Sequence, residues 1–152
     1  MLTDRTSLNK LSFKVLGCAI EVHRALGPGL LERPYVLAMA EEFKVQGIEY
    51  GLDVAVPVIY RGKALGCGYR VDVLVEESIV VEVKSVKEVA EIHRKQLLSY
   101  LKLTKLPLGL LINFNVGLLR DGVTRMINLP SVGRELAGEE ASPARRASRG
   151  GE

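Results

Sequence analysis

Two stretches of strict alternation sit in the middle of this chain: Val54, Val56, Val58 and Tyr60, then Tyr69, Val71, Val73 and Val75. Only a strand repeats its facing every second residue, so this segment cannot be helical, and each strand has one apolar face. In the second stretch Arg70, Asp72 and Leu74 take the face opposite the valines. Gly62 marks a turn between the two stretches. Glu76-Glu77-Ser78 forms a short turn into a third strand, Ile79-Val80-Val81-Glu82-Val83-Lys84. Three consecutive strands joined by short turns predict an antiparallel meander.

The flanks change period. From Ser7 to Leu26 the apolar residues Leu11, Val15, Leu16, Ala19, Ile20, Val22 and Leu26 follow helical spacing, with Ser7 or Thr6 as the cap and Gly27-Pro28-Gly29 as the stop. A second helix is expected from about Pro34 to Gln46, closed by Gly47. After the meander, Val89 to Leu103 is again helical, with Ile92, Leu97, Tyr100 and Leu101 as its apolar stripe. Leu108 to Phe114 reads as a strand buried on both faces, and Thr124 to Leu129 as a last strand. The order helix, helix, three strands, helix, strand, strand predicts an α/β fold, a mixed central sheet flanked by helices.

At 152 residues, with 47% apolar and 26% charged side chains, the chain suits a single globular domain. We place that domain at residues 1–137. From Gly138 the sequence turns to Glu, Ala, Ser, Arg, Gly and Pro, and residues 138–152 are expected to be a disordered tail. A net charge of +3 does not by itself mark a nucleic-acid binder, so any basic surface has to be local. Cys18 and Cys67 lie far apart in apolar segments, with no zinc-like spacing to another ligand, and read as small buried residues of a reduced protein. Lys14 interrupts the first apolar stretch, and no run approaches the roughly 18 apolar residues of a membrane helix. A cytoplasmic location and no membrane partner are the expectations.

Glu82-Val83-Lys84 is the candidate for chemistry, and by itself it is weak evidence. About one Glu-x-Lys arises by chance in a chain of this composition, and Glu42-Phe43-Lys44 is a second copy. The two copies differ in secondary structure. Residues two apart diverge on a helix but share a face on a strand, so Glu82 and Lys84 converge and Glu42 and Lys44 do not. Asp72 lies ten residues earlier on the preceding strand, and a hairpin at Glu77 brings it opposite Glu82. Facing carboxylates repel, and a divalent cation relieves that repulsion. Magnesium, or manganese in its place, would polarise a phosphodiester there while a lysine stabilises negative charge. On pattern alone the three residues fit a solvated salt-bridge ladder equally well.

Two further segments tip that balance. Gly29-Leu30-Leu31-Glu32-Arg33-Pro34-Tyr35 resembles the signature of the GxxExxY protein family, a branch of the PD-(D/E)XK nuclease superfamily. The resemblance begins in Ile20-Glu21-Val22-His23-Arg24 and continues through Gly68-Tyr69-Arg70-Val71-Asp72, Glu82-Val83-Lys84, Gln96 to Leu101 and Gly109 to Phe114. It implies a restriction-endonuclease-like core and a metal-dependent phosphodiesterase acting on nucleic acid, DNA in the first instance. Asp72 and Glu82 would hold the metal with the Val83 carbonyl, and Lys84 would orient or activate the attacking water. Glu32 would be the acidic residue of an N-terminal helix, and Gln96 and Tyr100 would form a Q-x-x-x-Y helix motif. One departure is Pro34, at a position where related sequences carry residues more tolerant of helix.

His93 shares the helix face of Gln96 and Tyr100 and is a candidate substrate contact. His23 and Glu21 are expected to face solvent. Arg94, Lys95, Lys102 and Lys105 give the third helix a basic character suited to phosphates. The rivals to a nuclease are a non-catalytic metal- or nucleic-acid-binding module of the same fold, and a regulatory or defence-linked protein whose surface lies elsewhere. No separate specificity domain is legible, so targeting is expected from a partner or from homodimerisation.

Overall fold

The computed structural model describes residue 2 and residues 4–128. Helix α1 (Arg5–Leu26) starts at Asp4, not at Ser7 or Thr6: Asp4 Oδ1 accepts the Ser7 N–H at 2.9 Å, satisfying a free donor of the first turn. Helix α2 (Glu32–Gln46) begins two residues before Pro34. That position is still in the first turn, where the missing N–H breaks no helical bond. Gly47 ends the helix in the left-handed region at φ 66°.

Strands β1 (Tyr50–Tyr60), β2 (Lys63–Val75) and β3 (Ile79–Lys84) form the expected antiparallel meander, but the first two are longer than the alternation alone predicts. Helix α3 (Glu91–Thr104) crosses over to β4 (Leu108–Asn113), which runs parallel to β3, and β5 (Val123–Ile127) returns antiparallel after a short 3-10 turn at Leu119–Gly122. The sheet order β1-β2-β3-β4-β5 follows the chain, so this is a mixed five-stranded sheet in an α/β fold, consistent with a restriction-endonuclease-like core.

Helices cover both faces of the sheet. Val15, Ala19 and Val22 of α1 and Tyr35, Met39 and Phe43 of α2 pack on Val73, Val75, Ile79, Val81, Val83, Leu110 and Ile112. On the other face Leu97 and Leu101 of α3 pack on Val71, Val80 and Leu111. A Cβ at Gly109 would sit 3.0 to 3.1 Å from the Leu97 and Leu101 side chains, so the bare glycine lets α3 lie close. Every residue of β4 is buried, as a strand with two covered faces requires.

The structure corrects several expectations. Tyr69 and Val71 do not share a face with Val73 and Val75; they join Val54 and Val56 on the α3 side, whereas Val73 and Val75 join Tyr50 and Leu52 on the other. The hairpin turns over at the level of Asp53, whose φ is 50°, and Asp72. Cys67 is exposed, because β2 has left the body of the sheet there. His23 is half-buried and its Nε2 is 2.8 Å from the Val116 carbonyl oxygen. Ile92 is 55% exposed and lies outside the stripe made by Leu97 and Leu101. Leu129 and the segment 138–152 fall outside the described residues. Among the described residues no helix is long and apolar enough to cross a membrane.

Candidate active site

The β2–β3 hairpin closes through Glu76 and Glu77, both in the left-handed region at φ 49° and 51°. Such a pair has the geometry of a tight type I′ hairpin turn, where glycine and asparagine are the easier residues. Tertiary bonds hold it: Ser78 N–H donates to the Val75 carbonyl, Glu76 N–H donates to the Glu49 carbonyl at 3.0 Å, and Glu76 Oε1 accepts the Glu49 N–H at 3.0 Å. From this turn β2 and β3 pair in register through Val75 with Ile79, Leu74 with Val80 and Val73 with Val81.

There the ladder stops. The next position sets Asp72 against Glu82, and the side chains take over where backbone bonds would continue. Asp72 Oδ2 accepts the Val83 N–H at 2.8 Å, and Asp72 N–H approaches Glu82 Oε1 at 3.4 Å. Each carboxylate is thus fastened to the backbone of the other's strand. The expected pair forms, at a place where the strands part.

Its electrostatics are strained. Glu82 is only 7% exposed. Burial, and then the neighbouring Asp72 charge, push its carboxyl up to about 7, against the Tyr69 phenol, the Asp72 N–H and the Lys84 charge, which favour the ionised form. The Tyr69 phenol is itself driven far above its usual value, by burial first and by Glu82 next, so it stays a neutral donor. Its ring stacks on Tyr100 of α3, with centroids 3.5 Å apart and planes 10° from parallel. Tyr100 therefore reaches the carboxylates through Tyr69. Sequence reasoning missed Tyr69, since unbroken alternation would have grouped it with Val73.

Lys84 is half-buried, two residues along the strand from Glu82, and among the described residues it forms no salt bridge. Its backbone is pinned: its carbonyl accepts the Phe114 N–H at 2.9 Å. Asn113, its parallel partner on β4, is buried and brackets the segment beyond β3, Oδ1 accepting the Val86 N–H and Nδ2 donating to the Val86 carbonyl. By contrast Lys44 of the helical copy pairs with Glu41 at 2.9 Å in solvent.

Glu32 opens α2 and is exposed. The turn before it is tied to the site strand, because Ser85 Oγ donates to the Leu30 carbonyl. Tyr35, fully buried, clamps the same turn: its hydroxyl donates to the Gly27 carbonyl at 2.6 Å and accepts the Leu30 N–H at 3.1 Å, while its ring stacks on Phe114 at 4.4 Å. Glu32 is thus held near the end of β3 but is not gathered with Asp72 and Glu82; among the described residues no three His, Cys, Asp or Glu side chains cluster as a metal site. Gln96 is exposed on α3. His93 is half-buried, with Nδ1 buried and without a partner among the described residues.

The donor set fits a hard divalent cation. Two neighbouring carboxylates, whose repulsion the Lys84 charge offsets only in part, are the kind of ligands with which magnesium commonly keeps several waters. Among the described residues no cluster of three or more His, Cys, Asp or Glu side chains forms, so no zinc-type ligand set is present there.

A family model described as the PD-(D/E)XK nuclease superfamily matches residues 9–126. Among curated proteins nothing matches. A solved structure titled "Crystal structure of SSO0001" is similar at 25% identity with a TM-score of 0.41, over 68% of this chain and 52% of that one, so the chain spans about half of its length.

Proposed function

We propose that this chain, which belongs to the PD-(D/E)XK nuclease superfamily, hydrolyses phosphodiester bonds in nucleic acid, DNA in the first instance, at a metal site built on Asp72 and Glu82. The observation that carries the reading is the break in the β2–β3 ladder, where two carboxylates replace backbone pairing and one is held to about 7 by burial and by the other. A structural salt-bridge ladder would pair them with cations; this one crowds them together.

In this reading Asp72, Glu82 and the Val83 carbonyl hold magnesium or manganese. When bound, such a cation polarises the phosphodiester and increases the acidity of its water. Glu82 loses its proton to become a ligand, so affinity rises with pH. Tyr69 steadies the Glu82 carboxylate, and Tyr100 steadies Tyr69 by stacking. Lys84 projects from the same strand face as Glu82, orients the attacking water and stabilises charge that develops on the phosphoryl oxygens. Gln96, exposed one helical turn before Tyr100, contacts the substrate backbone, and Glu32 contributes from the end of α2 once substrate or metal draws it in.

Membership in the GxxExxY branch is part of the same proposal. It is supported by the parts that Gly29, Glu32 and Tyr35 play: Gly29 turns at φ 99°, Glu32 starts α2, and the Tyr35 hydroxyl clamps the turn between them. We also read residues 1–137 as one domain, the protein as cytoplasmic, and targeting as supplied by a partner or a second copy.

The test is cleavage of labelled single- and double-stranded DNA and RNA in magnesium, manganese and EDTA, comparing the native chain with Asp72→Asn. Metal-dependent cutting abolished in Asp72→Asn supports the proposal. Metal binding with no cutting of any substrate would identify a non-catalytic accessory module.

A further inference from the structure

We propose that the free end of the β1–β2 hairpin is an arm that grips duplex DNA alongside the Asp72–Glu82 site. The proposal rests on the nuclease reading for its choice of nucleic acid as partner, and it adds the substrate form and the surface that holds it.

Strand β2 runs from Lys63 to Val75, yet β3 pairs with it only between Val73 and Val75. From Lys63 to Val71 its sole strand partner is β1. Tyr69 and Val71 still pack under α3, so the part of this two-stranded ribbon that stands clear, residues 63–68, is on the order of 20 Å long at about 3.3 Å per residue. Every residue from 61 to 68 is exposed. The ribbon is narrow where Gly68 passes β1: a Cβ there would sit 2.6 Å from the Val56 carbonyl oxygen. It ends in a tight turn with Arg61 at φ 49° and Gly62 at φ 76°, and the Arg61 guanidinium lies over the Tyr60 ring, 5.6 Å from its centroid.

Charge selects the partner. Between Val54 and Val71 the charged residues are Arg61, Lys63 and Arg70, with no carboxylate, in a chain whose totals are nearly balanced at 21 basic and 18 acidic. Exposed Ile59, Tyr60 and Leu65 offer apolar contact beside them. A second copy docked tip to tip would set Arg61 and Lys63 against their own charge, whereas phosphates complement them. The shape narrows the choice further. The major groove of B-form DNA, about 12 Å wide, admits a two-stranded ribbon, while the major groove of A-form RNA is too deep and narrow. Because β2 carries Asp72 at the root of the arm, a duplex held along the ribbon is led to the carboxylates, and phosphate contacts at the tip fix its register.

The test compares the native chain with the double variant Arg61→Ala, Lys63→Ala, both sites being exposed and outside the catalytic machinery. Binding to a DNA duplex several turns long is measured in EDTA over a range of salt. The variant should bind at least tenfold more weakly at low salt, and the slope of log affinity against log salt should shrink by about 2, roughly 0.9 for each phosphate that the variant no longer neutralises. Cutting of a duplex too short to reach the tip should be unchanged. Native affinity and slope in the variant would overturn the arm and leave the nuclease reading standing. Arm-dependent binding without cutting of any substrate would support the arm and sink the nuclease reading. Absence of binding by the native chain, equal arm-dependent binding of an RNA duplex, or a native dimer that Ile59→Ser dissociates would each overturn the proposal.

Discussion

Glu82 makes the stability of the metal-free protein depend on pH in the direction opposite to most carboxylates. Its pKa rises from the ordinary 4.5 to about 7 on folding. A group raised in the folded state contributes stability that is fully present below the unfolded value and lost as pH climbs through the folded value. The loss therefore falls between about pH 5 and 8. A rise of that size corresponds to about 3 kcal/mol, an upper bound because the hairpin can relax and admit water. Glu82→Gln keeps the shape and the acceptor oxygen for the Asp72 N–H but cannot ionise. Urea unfolding at pH 5 and pH 8 in EDTA, for both proteins, isolates the effect: the native chain should lose up to about 3 kcal/mol more than the variant over that interval. Magnesium or manganese at pH 8 should restore much of the difference in the native chain alone. Equal pH dependence in the two proteins would refute the claim that Glu82 is held protonated by burial and Asp72.

Lys84→Ala should lower turnover on a cleavable substrate about 100-fold or more while metal binding persists, whereas Lys44→Ala, which removes the partner of Glu41, should cut at the native rate; equal rates for both would end the catalytic role of Lys84. Tyr35→Phe removes a donor from the Gly27 carbonyl and an acceptor from the Leu30 N–H, and should cost about 1–2 kcal/mol in denaturant unfolding. Glu77→Gly relieves a left-handed glutamate in the hairpin turn and should gain about 0.5–1 kcal/mol, read as a raised melting temperature.

The fold was legible wherever burial on one face wrote a period into the sequence. Ile79 to Lys84 came out at its bounds, and β4 announced itself because both its faces are covered and no polar residue is tolerated before Asn113. The ends were less legible. Capping by Asp4 is a single local hydrogen bond, and neighbouring Thr6 and Ser7 offer the same chemistry two and three residues on. The full length of the hairpin was hidden for a different reason: outside the sheet body β1 and β2 pack on little but each other, so Lys63 to Gly68 carry no alternation to read. Cys67 was misplaced with them.

The site divides along the same line. Asp72, Glu82 and Lys84 were readable because strand periodicity places two of them on one face and a short turn brings the third opposite. Tyr69 was unreadable, because its place beside Glu82 depends on the hairpin turning over between Val71 and Val73, and nothing in an alternating row of valines marks where the faces exchange. Nor does the spacing of Gly29, Glu32 and Tyr35 disclose its purpose. In the structure it becomes a clamp: Tyr35 holds the Gly27 carbonyl and the Leu30 N–H, Leu30 in turn accepts Ser85 Oγ, and Phe114, stacked on Tyr35, donates to the Lys84 carbonyl. These bonds fix the end of the strand that bears the lysine. In the proposed nuclease, Tyr35 would therefore act on Lys84 through the backbone, by way of the bonds made by Phe114 and Ser85.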